Sequence, residues 1–155
     1  MRTIFSLLMV AILSAMCIGC SNPNQKIKMD SPAYIYGDNF NKETEIILEG
    51  TYNKKNYNFS GSLTIGDIKF DNVRFVSSFG IKYYVGSKAM YIGQVFFDPK
   101  DERITFEVDD PDLYKQLTSK NYDGASKLVI SSPAKNLEEA EQVTSELKEL
   151  EMPFK

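Results

Sequence analysis

The chain contains no histidine and no tryptophan, and its 155 residues hold only two cysteines. Without imidazole, histidine acid–base catalysis, histidine-containing metal sites and the Ser-His-Asp nucleophile arrangement are excluded. A basic excess is missing too: 18 Lys and Arg stand against 21 Asp and Glu, a formal charge of -3. That balance cannot neutralise a phosphate backbone, so nucleic acid is excluded as the expected partner. Gly-rich phosphate-binding loops and internal repeats are absent from the sequence. The length allows one domain of ordinary size and not two.

What is present begins with Arg2 and an uncharged apolar stretch over residues 4–19, broken only by Ser6 and Ser14. After Cys20 the chain turns polar, reading Ser21-Asn22-Pro23-Asn24-Gln25-Lys26. This is the layout of a secretory signal peptide, and it is short for a helix that must cross a bilayer with about 20 apolar residues. The segment Ser14-Ala15-Met16-Cys17-Ile18-Gly19-Cys20-Ser21 resembles a bacterial lipoprotein precursor, in which a small residue precedes the cysteine that becomes lipidated. Gly19 before Cys20 fits that position; Cys17, two places before Gly19, departs from the class, which usually has Leu there.

The resemblance covers residues 1–21 only. It implies cleavage between Gly19 and Cys20, a palmitate-type lipid anchor on Cys20, and a place on the extracytoplasmic face of the cell membrane. Two acyl chains on one residue anchor stably where one does not. Under that cleavage Cys17 leaves with the signal peptide, and the mature chain holds neither a free thiol nor a disulfide. The whole chain is similar to the small lipoproteins of Gram-positive bacteria, a likeness that implies a location and no activity.

The expected organisation is a signal peptide over 1–19, a lipidated N-terminus and polar tether over 20–33, and a single β-rich domain over 34–155. Strand signals dominate its middle. Ile46, Leu48, Gly50 and Tyr52 alternate with Ile47, Glu49 and Thr51; Tyr57, Phe59, Gly61, Leu63 and Ile65 alternate with polar residues. Such a period of two predicts strands with one buried and one wet face. Asn53-Lys54-Lys55-Asn56, Gly66-Asp67 and Gly86-Ser87 read as hairpin turns, and Asp98-Pro99-Lys100-Asp101 as a turn with Pro in its favoured place. Ile68 and Phe70 are even-numbered while Val73 and Phe75 are odd, which predicts a bulge at Asp71-Asn72. Over residues 90–97 both alternating sets are largely apolar, predicting a central strand covered on both faces.

Asp110 is placed to cap a short helix with Pro111 in its first turn, ending near residues 121–124, and residues 127–131 read as a further strand. Asn136-Leu137-Glu138-Glu139 has the form of a capping box for a helix whose apolar stripe is Leu137, Ala140, Val143, Leu147 and Leu150. The fold class expected is α+β: an antiparallel meander of six or seven strands, a short helix, a further strand, and a C-terminal amphipathic helix packed on the sheet.

Candidate chemistry is sparse. Ser132 and Lys135 match the Ser-x-x-Lys pattern of penicillin-interacting enzymes, but the Ser-Asp-Asn and Lys-Thr-Gly elements are absent and Pro133 puts Ser132 in a connection. The acidic runs Asp98, Asp101, Glu102 and Asp109, Asp110, Asp112 lack the spacing of a calcium loop. Tyr34 and Tyr36 are a candidate binding surface for a glycan or peptide, with an ordinary strand role as the alternative. No cofactor, no metal site and no catalytic residue is expected. The reading is a monomeric, membrane-anchored, non-enzymatic binding module for a protein, glycan or small ligand. A carboxylate-dependent hydrolase and a structural spacer remain the alternatives.

Overall fold

Inward apolar side chains at every second position build the fold. The computed structural model describes residues 22–37, 39–76 and 80–150. Eight antiparallel strands follow one another: β1 (Asn24–Gly37), β2 (Phe40–Asn53), β3 (Asn58–Ile65), β4 (Ile68–Val76), β5 (Gly80–Val85), β6 (Lys88–Asp98), β7 (Arg103–Val108) and β8 (Leu128–Ser132). Each pairs with the next, and β8 returns to β1 through Tyr34↔Ser131 and Tyr36↔Val129, so the sheet closes into a barrel. The mostly-β, two-helix class is as expected, but the sheet is a closed eight-stranded barrel, more than a meander of six or seven strands followed by a further strand. A meander is what local turn signals specify; its closure depends on a pairing between the two ends of the chain.

The strand that closes the barrel occupies much of the segment expected to be a tether. Ile27, Met29, Ala33 and Ile35 of β1 are all buried in the core, while Lys26, Lys28 and Asp30 point to water. The polar residues that made residues 24–33 read as a linker are the wet half of a strand.

The bulge at Asp71-Asn72 is there: Gly61 pairs with Val73 and Leu63 with Phe70, so two residues of β4 oppose Ser62 alone. The two-faced apolar pattern of β6 has a different cause from the one expected. Ile81 pairs with Gly93 and Lys82 with Tyr91, leaving Ile92 as an extra residue. This second bulge changes the inward set from Met90 and Ile92 to Val95 and Phe97, while Tyr91 and Gln94 lie exposed. Both phases are apolar chiefly because the strand changes phase; on its outer face only Phe96 is partly covered, by Lys148 of the C-terminal helix.

The helix α1 (Pro111–Thr118) follows β7. The Asp110 side chain accepts from the Leu113 N–H at 2.7 Å and Pro111 opens the first turn. Ser119, left-handed at φ 60°, ends the helix earlier than expected. The β1–β2, β3–β4 and β5–β6 turns lie at the same end of the barrel as the β7–β8 connection that carries α1. There Leu113 and Tyr114 join the core, with Leu117, Tyr122, Phe40 and Ile68 packed against it. One end of the barrel is plugged.

The helix α2 (Leu137–Leu150) lies on the outer wall over β7, β8 and β1 and touches β6. Its start is capped by the Asn136 carbonyl side chain, which accepts from the Glu139 N–H at 2.9 Å. Ala140, Val143 and Leu147 are buried against the wall, and the stripe's ends, Leu137 and Leu150, are exposed. Thr144 adds a polar contact: its hydroxyl bonds Tyr36 and Ser131, each at 2.7 Å, and also meets the Ala140 carbonyl at 2.9 Å. At the rim, Lys148 pairs with Glu107 and Arg103 with Glu146. Among the described residues, all core residues and all pairings that close the barrel lie between Asn24 and Leu147, so this segment holds the whole barrel with its packed helix.

Candidate functional site

Opposite the plug, the β2–β3 and β6–β7 turns, the start of β1 and the end of β8 meet at the other mouth. Beneath it lie four inward-facing rings. Phe97 packs edge-on against Tyr52 (5.8 Å between centroids), Phe75 (5.7 Å) and Phe59 (6.3 Å), and Phe59 lies 4.8 Å from Phe75.

Local sequence makes room for these rings. Gly50 and Gly61 are paired across β2 and β3, and a Cβ on either would approach Phe59 Cζ to 2.7 or 2.8 Å. The missing side chains are the space that the Phe59 ring fills. The Ile92-Gly93 bulge, by changing the phase of β6, turns Val95 and Phe97 inward.

Above the rings is a cavity of about 870 Å³, within the range of small-molecule sites. Its wall includes Tyr52, Phe75, Val76, Val95 and Phe97, with Leu147 and Leu150 from the last turn of α2. β8 reaches only residues 34–37 of β1, so the strand's first half is paired on the β2 side alone. At this side the Gln25 side-chain amide donates to the Pro99 carbonyl at 3.2 Å, tying β1 to the β6–β7 turn.

The polar lip carries Gln25, Lys54, Asp98 and Lys100. Asp98 is the one carboxylate of the lining, and it is engaged: Arg103 Nη2 lies 3.3 Å away and the Lys100 N–H donates to it at 3.0 Å. Arg103 also reaches Glu146 at 2.5 Å and Asp101 at 3.5 Å. Burial works against its charge, but Asp98, Glu146 and Asp101 more than offset this and raise the guanidinium pKa above its ordinary value. The Lys54 and Lys100 ammonium groups have no ion-pair or hydrogen-bond partner among the described residues.

The residues singled out from sequence lie elsewhere. Tyr34 and Tyr36 do not form an exposed aromatic patch. Both are half-buried on the wall beside α2, and the Tyr36 hydroxyl is bonded to Thr144. The pairing of β1 with β8 is what brings Tyr36 to the helix. Ser132 is fully buried, donates to the Pro32 carbonyl at 2.9 Å and ends β8, whereas Lys135 lies exposed before α2. The acidic runs serve structure. Asp98 and Asp101 face Arg103, Asp110 caps α1, and Asp109 accepts from the Tyr91 hydroxyl at 3.1 Å. No three His, Cys, Asp or Glu side chains converge among the described residues. Gly19 and Cys20 lie outside the described residues.

The cavity is hard to see in the sequence because its apolar strand residues have the pattern of ordinary core. One signal was present: Tyr52 and Phe97 each directly precede a polar turn, at 53–56 and 98–101, and Phe59 soon follows one. In a closed up-and-down sheet such aromatic residues gather at one end. Comparison with protein-family models, curated proteins and solved structures returned no match.

Proposed function

We propose that this chain is a lipid-anchored, non-enzymatic binding barrel of the cell envelope that takes a small apolar or amphipathic ligand at its open mouth. The observation that carries the reading is the cavity of about 870 Å³ over four aromatic rings, at the end that α1 does not plug. An eight-stranded barrel is just wide enough to be filled by side chains or to hold one small ligand. Here the interior is filled toward α1 and hollow toward the mouth. Hydrolysis by a pair of carboxylates needs two converging acids, and Asp98, the one acid of the lining, is held by Arg103. A spacer would have no use for the hollow.

The neutral fluorophore N-phenyl-1-naphthylamine should brighten on binding residues 21–155. Phe97→Asp, which sets a carboxylate among the rings, should abolish the signal. Leu150→Asp, at an exposed position on the cavity wall, should weaken it with the melting temperature unchanged. Brightening that persists undiminished in both variants would place the binding elsewhere and overturn the reading.

Anchoring rests on Gly19 before Cys20 at the apolar-to-polar boundary. Radiolabelled palmitate should enter the wild-type chain and Cys17→Ala but not Cys20→Ala. Incorporation lost in Cys17→Ala and kept in Cys20→Ala would move the anchor to the other cysteine. Incorporation in none of the three would remove the lipid from the proposal. Among the described residues no helix is long and apolar enough to cross a membrane.

A further inference from the structure

The cavity is apolar within and has at its lip two ammonium groups without an ion-pair partner among the described residues. Of its lining residues, Lys54, Lys100 and Asp98 are the Lys and Asp side chains. Asp98 is paired with Arg103, which it shares with Asp101 and Glu146, and it accepts from the Lys100 backbone N–H, so its carboxylate is engaged within the protein. Asp101, on the same turn, is likewise directed at Arg103. The two lysines, on separate turns that flank the mouth, are exposed, and their ammonium groups have no partner among the described residues. An apolar interior below two free ammonium groups complements a molecule with an apolar tail and an anionic head.

Building on the binding reading above, we propose that the mouth holds a single-chain anionic amphiphile, its acyl chain against Tyr52, Phe75 and Phe97 and its carboxylate or phosphate between Lys54 and Lys100. The topology supports this occupant independently of charge. β1 begins at the open end, so the polypeptide leading to Cys20 leaves the domain beside the mouth. Three residues lie between Cys20 and Asn24, and the four steps of chain reach at most roughly 14 Å when extended. A lipid on Cys20 would hold the mouth close to the bilayer, where acyl amphiphiles are concentrated.

The test uses residues 21–155, which contain the whole barrel, and so does not depend on anchoring. Dodecanoate, dodecanol and dodecyltrimethylammonium share one chain length and differ in head charge, and each competes with N-phenyl-1-naphthylamine. Dodecanoate should displace the fluorophore roughly tenfold more tightly than dodecyltrimethylammonium, since two solvent-screened ammonium groups contribute modestly each. In Lys54→Glu/Lys100→Glu the order of the two ions should reverse, with dodecanol and the melting temperature unchanged because both positions are exposed turns.

Equal displacement by all three compounds, or an order that survives the double substitution, would overturn the anionic-head assignment and leave the binding cavity standing. Failure of the fluorophore itself to bind would overturn both. Vesicles of phosphatidylglycerol doped with lysophosphatidylglycerol separate the sources. Transfer of the lysolipid to the protein on flotation supports a membrane lipid as ligand, and displacement by dodecanoate without transfer supports a free fatty carboxylate.

Discussion

Leu147→Asp is expected to lower the melting temperature by about 10–20 °C, through the loss of about 3–5 kcal/mol that an uncompensated buried charge costs. Leu147 is 2% exposed, between α2 and the barrel wall at the inner edge of the cavity. The cations nearest in sequence or across the helix are already committed, Lys148 to Glu107 and Arg103 to Glu146 and Asp98. The carboxylate would have to draw a cation from one of these pairs, pull the Lys54 or Lys100 ammonium in from the lip, or drag the helix end into water, and each costs stability. Glu141→Ala, on the exposed face, is the control and should change stability by no more than about 0.5 kcal/mol. Thermal unfolding of the two variants compares them directly. An unchanged transition in Leu147→Asp would mean that α2 is not docked on the barrel in solution, and the cavity would then lack one wall.

Gly93→Ala should cost about 3 kcal/mol or more and abolish fluorophore binding as well. Gly93 has φ +155°, and a Cβ there would lie 1.9 Å from the Glu107 carbonyl oxygen and 2.6 Å from Phe106 Cε2. The oxygen belongs to the backbone of β7, which pairs with β6 through Gly93↔Val108, so relief requires prising two barrel strands apart. The same movement would undo the bulge that turns Val95 and Phe97 inward. Gly86→Ala separates clash from conformation. Gly86 sits in the β5–β6 turn at φ +61° with nothing within 4 Å of its Cβ, so only the left-handed strain of about 1–2 kcal/mol applies. Urea unfolding that gave the two variants equal costs would show that β6 and β7 are not in such close contact.

Much of the local structure is legible in the residues. The turns at Gly66-Asp67 and Gly86-Ser87, the bulge at Asp71-Asn72, the Asp110 cap and the Asn136–Glu139 start of α2 all follow from short-range chemistry. Each depends on residues within a few positions of one another. Elsewhere the same rules misled. Lys26, Lys28 and Asp30 looked like a tether because their buried partners Ile27 and Met29 are few against the polar background. Apolar residues in both phases of β6 looked like two-sided burial because a period count assumes an unbroken strand.

By itself, the sequence determined the chemistry that is unavailable without histidine, the lipoprotein-like N-terminus, the strand-rich middle and the amphipathic C-terminal helix. Only the tertiary structure decided that Tyr34 meets Ser131 to close the sheet, that α1 plugs one end, and that Tyr52, Phe59, Phe75 and Phe97 gather under the other. The physical reason lies in range. Strand period, turns and caps are set by neighbours along the chain, whereas closure and the hollow are set by which distant strands pair and in what register.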